Sequence, residues 1–169
     1  SLELAAGAAL HVAGSNGIGK SSLIRILAGL LRPLAGTVDR AGAIGLVDDR
    51  PALDEHRPLG RALGFWQAID GSLADRYLGL LGLAELLDIP VRYLSTGQRK
   101  RAALARLVGQ RAPVWLLDEP LNGLDTHAVG LVEELVEDHC TAGGIAVIAS
   151  HQTFGLERLT QLALAEFVP

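Results

Sequence analysis

A chain of 169 residues is long enough for about one domain with a substantial core. Its net charge of −4 carries no basic block, so the electrostatic footprint of nucleic-acid binding is absent, and its one cysteine, Cys140, excludes an internal disulfide and suits a reducing compartment. Apolar residues make up 49% before the 20 glycines are added, which is compatible with a subunit that hides surface against a partner, yet no apolar run approaches the roughly 18 residues of a membrane span.

Residues 1–13 read as a strand or hairpin piece that turns at Ala6-Gly7 and ends in an apolar strand, Leu10 to Ala13. Ser1-Leu2-Glu3-Leu4 has no basic n-region, so no signal peptide is expected. Gly14-Ser15-Asn16-Gly17-Ile18-Gly19-Lys20-Ser21 follows, matching G-x-x-x-x-G-K-S/T between a strand and a helix-like run, the context of a P-loop. Glycines let successive backbone N–H groups curl around one phosphate, and the helix N-terminus adds partial positive charge. Lys20 is expected to reach the β- and γ-phosphates and the Ser21 hydroxyl to join a Mg²⁺ shell. Gly14 through Ser21, with Ser22, are the candidate residues for binding a nucleoside triphosphate.

A helix is expected from about Gly19 to Leu30, stopped by Pro33, then strands at Gly36–Asp39 and Ala43–Val47. From Asp48 the chain becomes polar and proline-punctuated, and two helical patterns follow, about Leu59–Ile69 and Leu73–Leu87. They read as a helical insertion, about residues 52–108, in an α/β domain spanning 1–169. Phe65-Trp66 within it suits core packing more than partner docking. A third helix, Gly97–Gly109, carries Arg99, Lys100, Arg101 and Arg106, a face expected to be solvated. Val114 to Leu117 reads as a strand buried on both faces, as in parallel sheets, and Ile145 to Ala149 as another. A helix from about Asp125 to Cys140 lies between them. A short helix around Leu156–Leu159 and a strand around Leu162–Phe167 close the chain.

Three apolar strands thus carry polar residues at their carboxyl ends: the P-loop, Asp118-Glu119 and Ser150-His151. Open parallel sheets place ligands there, so these groups are expected to converge on one site. Asp118 is placed where phosphoryl-transfer ATPases keep an acid on Mg²⁺, and Glu119 can polarise a water for in-line attack. His151 can donate to the γ-phosphate and hold that water. Leu94-Ser95-Thr96-Gly97-Gln98 reads as a helix start with Ser95 as N-cap, a second surface able to bind phosphate.

The order of P-loop, Leu94-Ser95-Thr96-Gly97-Gln98, Asp118-Glu119-Pro120, Leu124-Asp125 and His151 resembles the ATP-binding subunits of ABC transporters, from about Leu10 to Gln152. That resemblance implies the P-loop NTPase fold of the ABC ATPase type, with a mostly parallel central sheet, and ATP and Mg²⁺ as cofactors. It also implies a head-to-tail homodimer in which Ser95, Gly97 and Gln98 of one subunit grip the ATP held by the P-loop of the other. Asp125 would be the acid crossing the interface, Glu119 the base and His151 the switch histidine. The stretches Ile89-Pro90-Val91-Arg92-Tyr93-Leu94-Ser95-Thr96-Gly97-Gln98-Arg99-Lys100-Arg101, Ala112-Pro113-Val114-Trp115 and His151-Gln152 resemble the CcmA family within it. This narrower resemblance implies a haem exporter of cytochrome c biogenesis at the cytoplasmic face of the bacterial inner membrane. Its partners would be an integral membrane subunit like CcmB, with CcmC- and CcmD-like proteins, and no nucleic acid. An ABC subunit for another cargo and a weakly hydrolysing regulatory module are the competing readings.

Two departures from the family pattern stand out. ABC subunits carry an adenine-stacking aromatic on a strand well before the P-loop, whereas this chain starts 13 residues before Gly14, so a shortened N-terminus is expected. Stacking of about 1–3 kcal/mol would be lost, weakening ATP about tenfold to a hundredfold. The family also places a Gln after the second strand, to touch Mg²⁺ and relay to the membrane partner, where this chain has Asp48-Asp49-Arg50-Pro51.

Overall fold

The computed structural model describes residues 1–71, 73, 75–156 and 159–167. Five strands, β1 (Ala9–Ala13), β2 (Ile44–Val47), β3 (Val114–Asp118), β4 (Ile145–Ser150) and β5 (Leu159–Ala163), form one sheet in the order β2-β3-β4-β1-β5. All four neighbour pairings are parallel. Alternation along each strand divides the core. Leu10, Val12, Leu116, Val147 and Ala149 pack against Ile24 of α1 (Lys20–Leu27), while Trp115, Leu117, Ala146 and Ile148 face the other way. On that second side lie α2 (Leu59–Asp70), α4 (Thr96–Gln110) and α5 (Thr126–Thr141). β3 and β4 are therefore covered on both faces, as their unbroken apolar runs require.

The register aligns the strand ends. Ala13 pairs with Ser150 and Asp118 with Ala149, so Gly14, Glu119 and His151 leave the sheet at one level. The chain leaves β1 for the far edge at β2, returns through β3 and β4, then passes β1 to reach β5. The order reverses at β4/β1, where parallel sheets open a crevice for ligands.

Several element boundaries differ from expectation. α1 stops before Pro33 because Gly29, at φ +78°, closes a Schellman motif: Leu30 N–H bonds Arg25 O and Gly29 N–H bonds Ile26 O. Arg40 folds back to donate to the Leu27 and Ile26 carbonyls, which holds its own segment, so Gly36–Asp39 forms no strand. The expected helix Leu73–Leu87 is broken into α3 (Asp75–Leu80) and a 3-10 turn at Ala84–Leu86, because Gly82 sits at φ +60°; Ser72 and Ala74 lie outside the described residues. The helix expected around Leu156–Leu159 falls in part on residues 157 and 158, also outside them, and Leu159 itself opens β5. β5 ends at Ala163 rather than Phe167 because β1 offers five residues to pair with before it turns into the P-loop. Leu164–Phe167 is a 3-10 turn.

The basic face of α4 is mostly not solvated. Lys100 is buried, Arg101 donates to Leu81 O, and Arg106 lies 3.5 Å over the Trp66 ring. The aromatic pair splits: Trp66 packs on the core and donates to Ala52 O, while Phe65 is exposed.

Candidate nucleotide site

Two glycines make the loop after β1 possible, Gly17 at φ +84° and Gly19 at φ +110°, and a Cβ on Gly14 would lie 2.8 Å from Ile18 Cγ2. Gly19 is the N-cap of α1 and offers no side chain to it. The N–H groups of Lys20, Ser21 and Ser22 therefore have no intrahelical acceptor and remain available to an anion. Ser15, Asn16 and Gly17 form the exposed tip of the loop. Lys20 is only 5% exposed, and its Nζ donates to Gly14 O at 2.8 Å and Ser15 O at 3.2 Å.

The acids arrive from β3. Glu119 Oε1 lies 3.2 Å from Lys20 Nζ, and Glu119 Oε2 lies 2.9 Å from His151 Nδ1. One carboxylate thus joins the loop after β1 to the loop after β4. Glu119 adopts φ +46°, a left-handed conformation that costs a non-glycine residue about 1–2 kcal/mol, and its N–H is fixed on Ala149 O at 2.8 Å. Asp118 is buried beside it, and its Oδ1 has no hydrogen-bond partner among the described residues. Burial pushes its carboxyl above the usual range, with the charges of Asp49 and Glu119 adding to the rise; the Ser21 hydroxyl and Lys100 pull the other way. A buried, unpartnered carboxylate oxygen next to a serine hydroxyl fits the oxygen-ligand chemistry of Mg²⁺. Gly14–Ser22, Asp118, Glu119 and His151 are brought together as expected.

Ser95, Gly97, Gln98 and Asp125 are held differently. Ser95 caps α4 in a complete capping box: its Oγ accepts from Gln98 N–H at 3.2 Å, and Gln98 Oε1 accepts from Ser95 N–H at 2.8 Å. These two residues spend their polar atoms on each other rather than on the P-loop of the same chain. Asp125 caps α5, its Oδ1 accepting from Ala128 N–H at 2.8 Å. A Cβ on Gly97 would lie 2.5 Å from Gly123 O, so the start of α4 rests on the loop that follows Glu119.

Sequence reasoning missed three features. Lys100 Nζ lies 3.6 Å from Asp49 Oδ1 and 3.5 Å from Asp48 O, tying the turn after β2 to α4, and no signal in the sequence pointed to it because the acids come from a different element. Gln152 Nε2 donates to Asn122 Oδ1 at 3.1 Å, joining the loops of His151 and Glu119. The strained backbone of Glu119 had no signal, since glutamate does not advertise a positive φ.

The chain matches the ABC transporter family over residues 1–122. It is 62% identical over 169 residues to the cytochrome c biogenesis ATP-binding export protein CcmA of Novosphingobium aromaticivorans, covering 100% of this chain and 87% of that one. Among solved structures, it superposes on an ATP binding subunit of an ABC transporter with a TM-score of 0.82 at 20% identity, covering 96% of this chain and 78% of the other, a likeness of fold. An inward-facing, putative metal-chelate type ABC transporter gives a TM-score of 0.75 at 28% identity over 89% of this chain and 65% of its own. With family motifs on aligned strand ends and a relative this similar along its whole length, the chain belongs to the CcmA family of ABC transporter ATP-binding subunits.

Proposed function

We propose that the chain hydrolyses ATP as the nucleotide-binding subunit of a haem exporter of cytochrome c biogenesis. The observation that carries the reading is the convergence of Lys20, Glu119 and His151 beside buried Asp118. Backbone N–H groups from Gly14 to Ser22 cradle the phosphates, and Lys20 neutralises their charge. Asp118 and Ser21 would hold Mg²⁺, which when bound draws charge off the phosphate oxygens. Glu119 accepts a proton from the attacking water. His151 Nδ1 lies against Glu119 Oε2, which leaves Nε2 as the ring nitrogen for a γ-phosphate oxygen.

Ser95, Gly97, Gln98 and Asp125 serve a second copy in this reading. Among the described residues the capping box leaves the Thr96 and Gly97 N–H groups without a hydrogen-bond acceptor at the positive end of α4, suited to the γ-phosphate of ATP on a partner chain. The whole chain acts as one ATP-binding domain, with residues 52–108 as its helical subdomain. Its work passes to an integral membrane subunit of CcmB type, with CcmC- and CcmD-like proteins nearby, at the cytoplasmic face of the inner membrane. No described helix is long and apolar enough to cross a membrane, which suits a peripheral subunit.

The test is ATPase activity of the chain with and without the co-encoded membrane subunits, with haem-loaded chaperone as the transported readout. ATP-dependent haem release that Lys20→Ala abolishes supports the reading. Co-purification with a permease for another cargo, and no haem release, overturns the cargo.

A further inference from the structure

We propose that Gln152 and Asn122 act as one positioning unit for the Glu119–His151 pair. The proposal rests on the ATPase reading above. Glu119 and His151 sit on separate loops, yet Glu119 Oε2 must stay 2.9 Å from His151 Nδ1. Each loop carries an amide close by, at Asn122 and at Gln152, and these two side chains meet at 3.1 Å, both half-buried. The tie is braced on both sides. Asn122 N–H donates to Glu119 O at 3.3 Å, so the amide is fastened to the backbone of the strained residue itself. Gln152 N–H donates to Ser150 Oγ at 2.9 Å, and that serine is fully buried at the end of β4. Beyond it, Gly155 N–H donates to Glu133 Oε1 at 2.6 Å, which anchors the far end of the His151 loop on α5.

His151 is itself 42% exposed. Core packing holds the far part of its loop, through Phe154 and Leu156, while beside His151 the hydrogen bonds around Gln152 hold it. Among the described residues neither amide hydrogen-bonds to the P-loop, so the unit sets the alignment of base and histidine without sharing in phosphate binding. A positioned proton acceptor loses rate when its carboxylate swings, whereas the phosphate grip through Gly14–Ser22 is unchanged.

The experiment measures single-turnover ATP hydrolysis and the Kd of a fluorescent ATP analogue for the full chain. Its variants are Gln152→Ala, Asn122→Ala, the double alanine, and the exchange Asn122→Gln/Gln152→Asn, which keeps the combined side-chain length. Each alanine should lower the hydrolysis rate about tenfold with Kd changed less than about twofold, and the double alanine should lose no more than either single. The exchange should recover to within about threefold of wild type. Multiplying losses in the double alanine, an exchange as slow as the singles, or a Kd that rises with the loss of rate overturns the positioning role. Lys20→Ala and Glu119→Gln are the controls. If they slow hydrolysis and Gln152→Ala does not, the positioning role alone fails; if they leave it unchanged, the ATPase reading fails and takes this proposal with it.

Discussion

Of the helices that begin at the ligand-facing end of this molecule, α1 and α4 are finished in opposite ways. α1 starts on Gly19, which gives it no side-chain cap and leaves its first-turn N–H groups open beside Lys20. α4 starts on Ser95, which with Gln98 closes a complete capping box. An open terminus pays in stability for a strong anion site, whereas a capped one is stable alone and offers only the N–H groups the box omits. The difference suits the proposed reading, in which α1 holds a phosphate by itself and α4 presents a rigid edge to a phosphate held by a second copy. Gly97 fits that contrast: it brings α4 close to Gly123 O in its own chain.

Substitutions on the α1 side should hit chemistry and affinity. Glu119→Gln removes the proposed proton acceptor and should lower kcat by about 10²–10⁴-fold, with ATP still bound, as steady-state and binding assays will show. Lys20→Ala removes the buried cation and should weaken ATP by about a hundredfold, the upper range for a charge-assisted contact.

Substitutions on the α4 side should move stability while leaving the single chain's ATP affinity alone. Gly97→Ala forces a methyl against Gly123 O, an overpacking worth about 1–3 kcal/mol, or a Tm lower by about 2–12 °C. Ser95→Ala removes the cap for about 1 kcal/mol, a Tm lower by about 2–4 °C in a thermal melt. A tenfold loss of monomer affinity in either variant would erase the contrast between the two helix ends.

The smallest effect belongs to the opposite end of the sheet. His139 stacks on Trp115 at 3.9 Å, and burial depresses its pKa below the ordinary 6.5. The unfolded chain then binds the proton more readily, so this contribution to stability is present above pH 6.5 and is lost as pH falls below it towards the folded value. His139→Gln should flatten the fall of Tm with pH in that window without changing ATP affinity.

Much of this arrangement was legible in the chain. β3 and β4 were readable because four or more consecutive apolar residues end abruptly in polar ones, and the P-loop because its glycines, lysine and hydroxyl have fixed spacing. The capping box was half visible: Ser95 reads as an N-cap, but the return bond from Gln98 needs the backbone to close. Boundaries were read less well where a distant residue decided them. Arg40 finishes α1 from thirteen residues beyond Leu27, and Gly82 breaks a helix whose apolar spacing continues through it. The burial of Lys100 was hidden because its counter-charge, Asp49, comes from a different element. The Asn122–Gln152 tie was invisible for the same reason, since two amides thirty residues apart meet only once β3 and β4 are paired.

Whether α4 serves a second copy can be measured directly by the mass of the Glu119→Gln chain in sedimentation, with and without ATP. The account predicts a monomer without nucleotide, a dimer with ATP, and return to an ATP-bound monomer when Ser95→Arg is added. A Glu119→Gln chain that binds ATP and stays monomeric, or a dimer indifferent to Ser95→Arg, would contradict it.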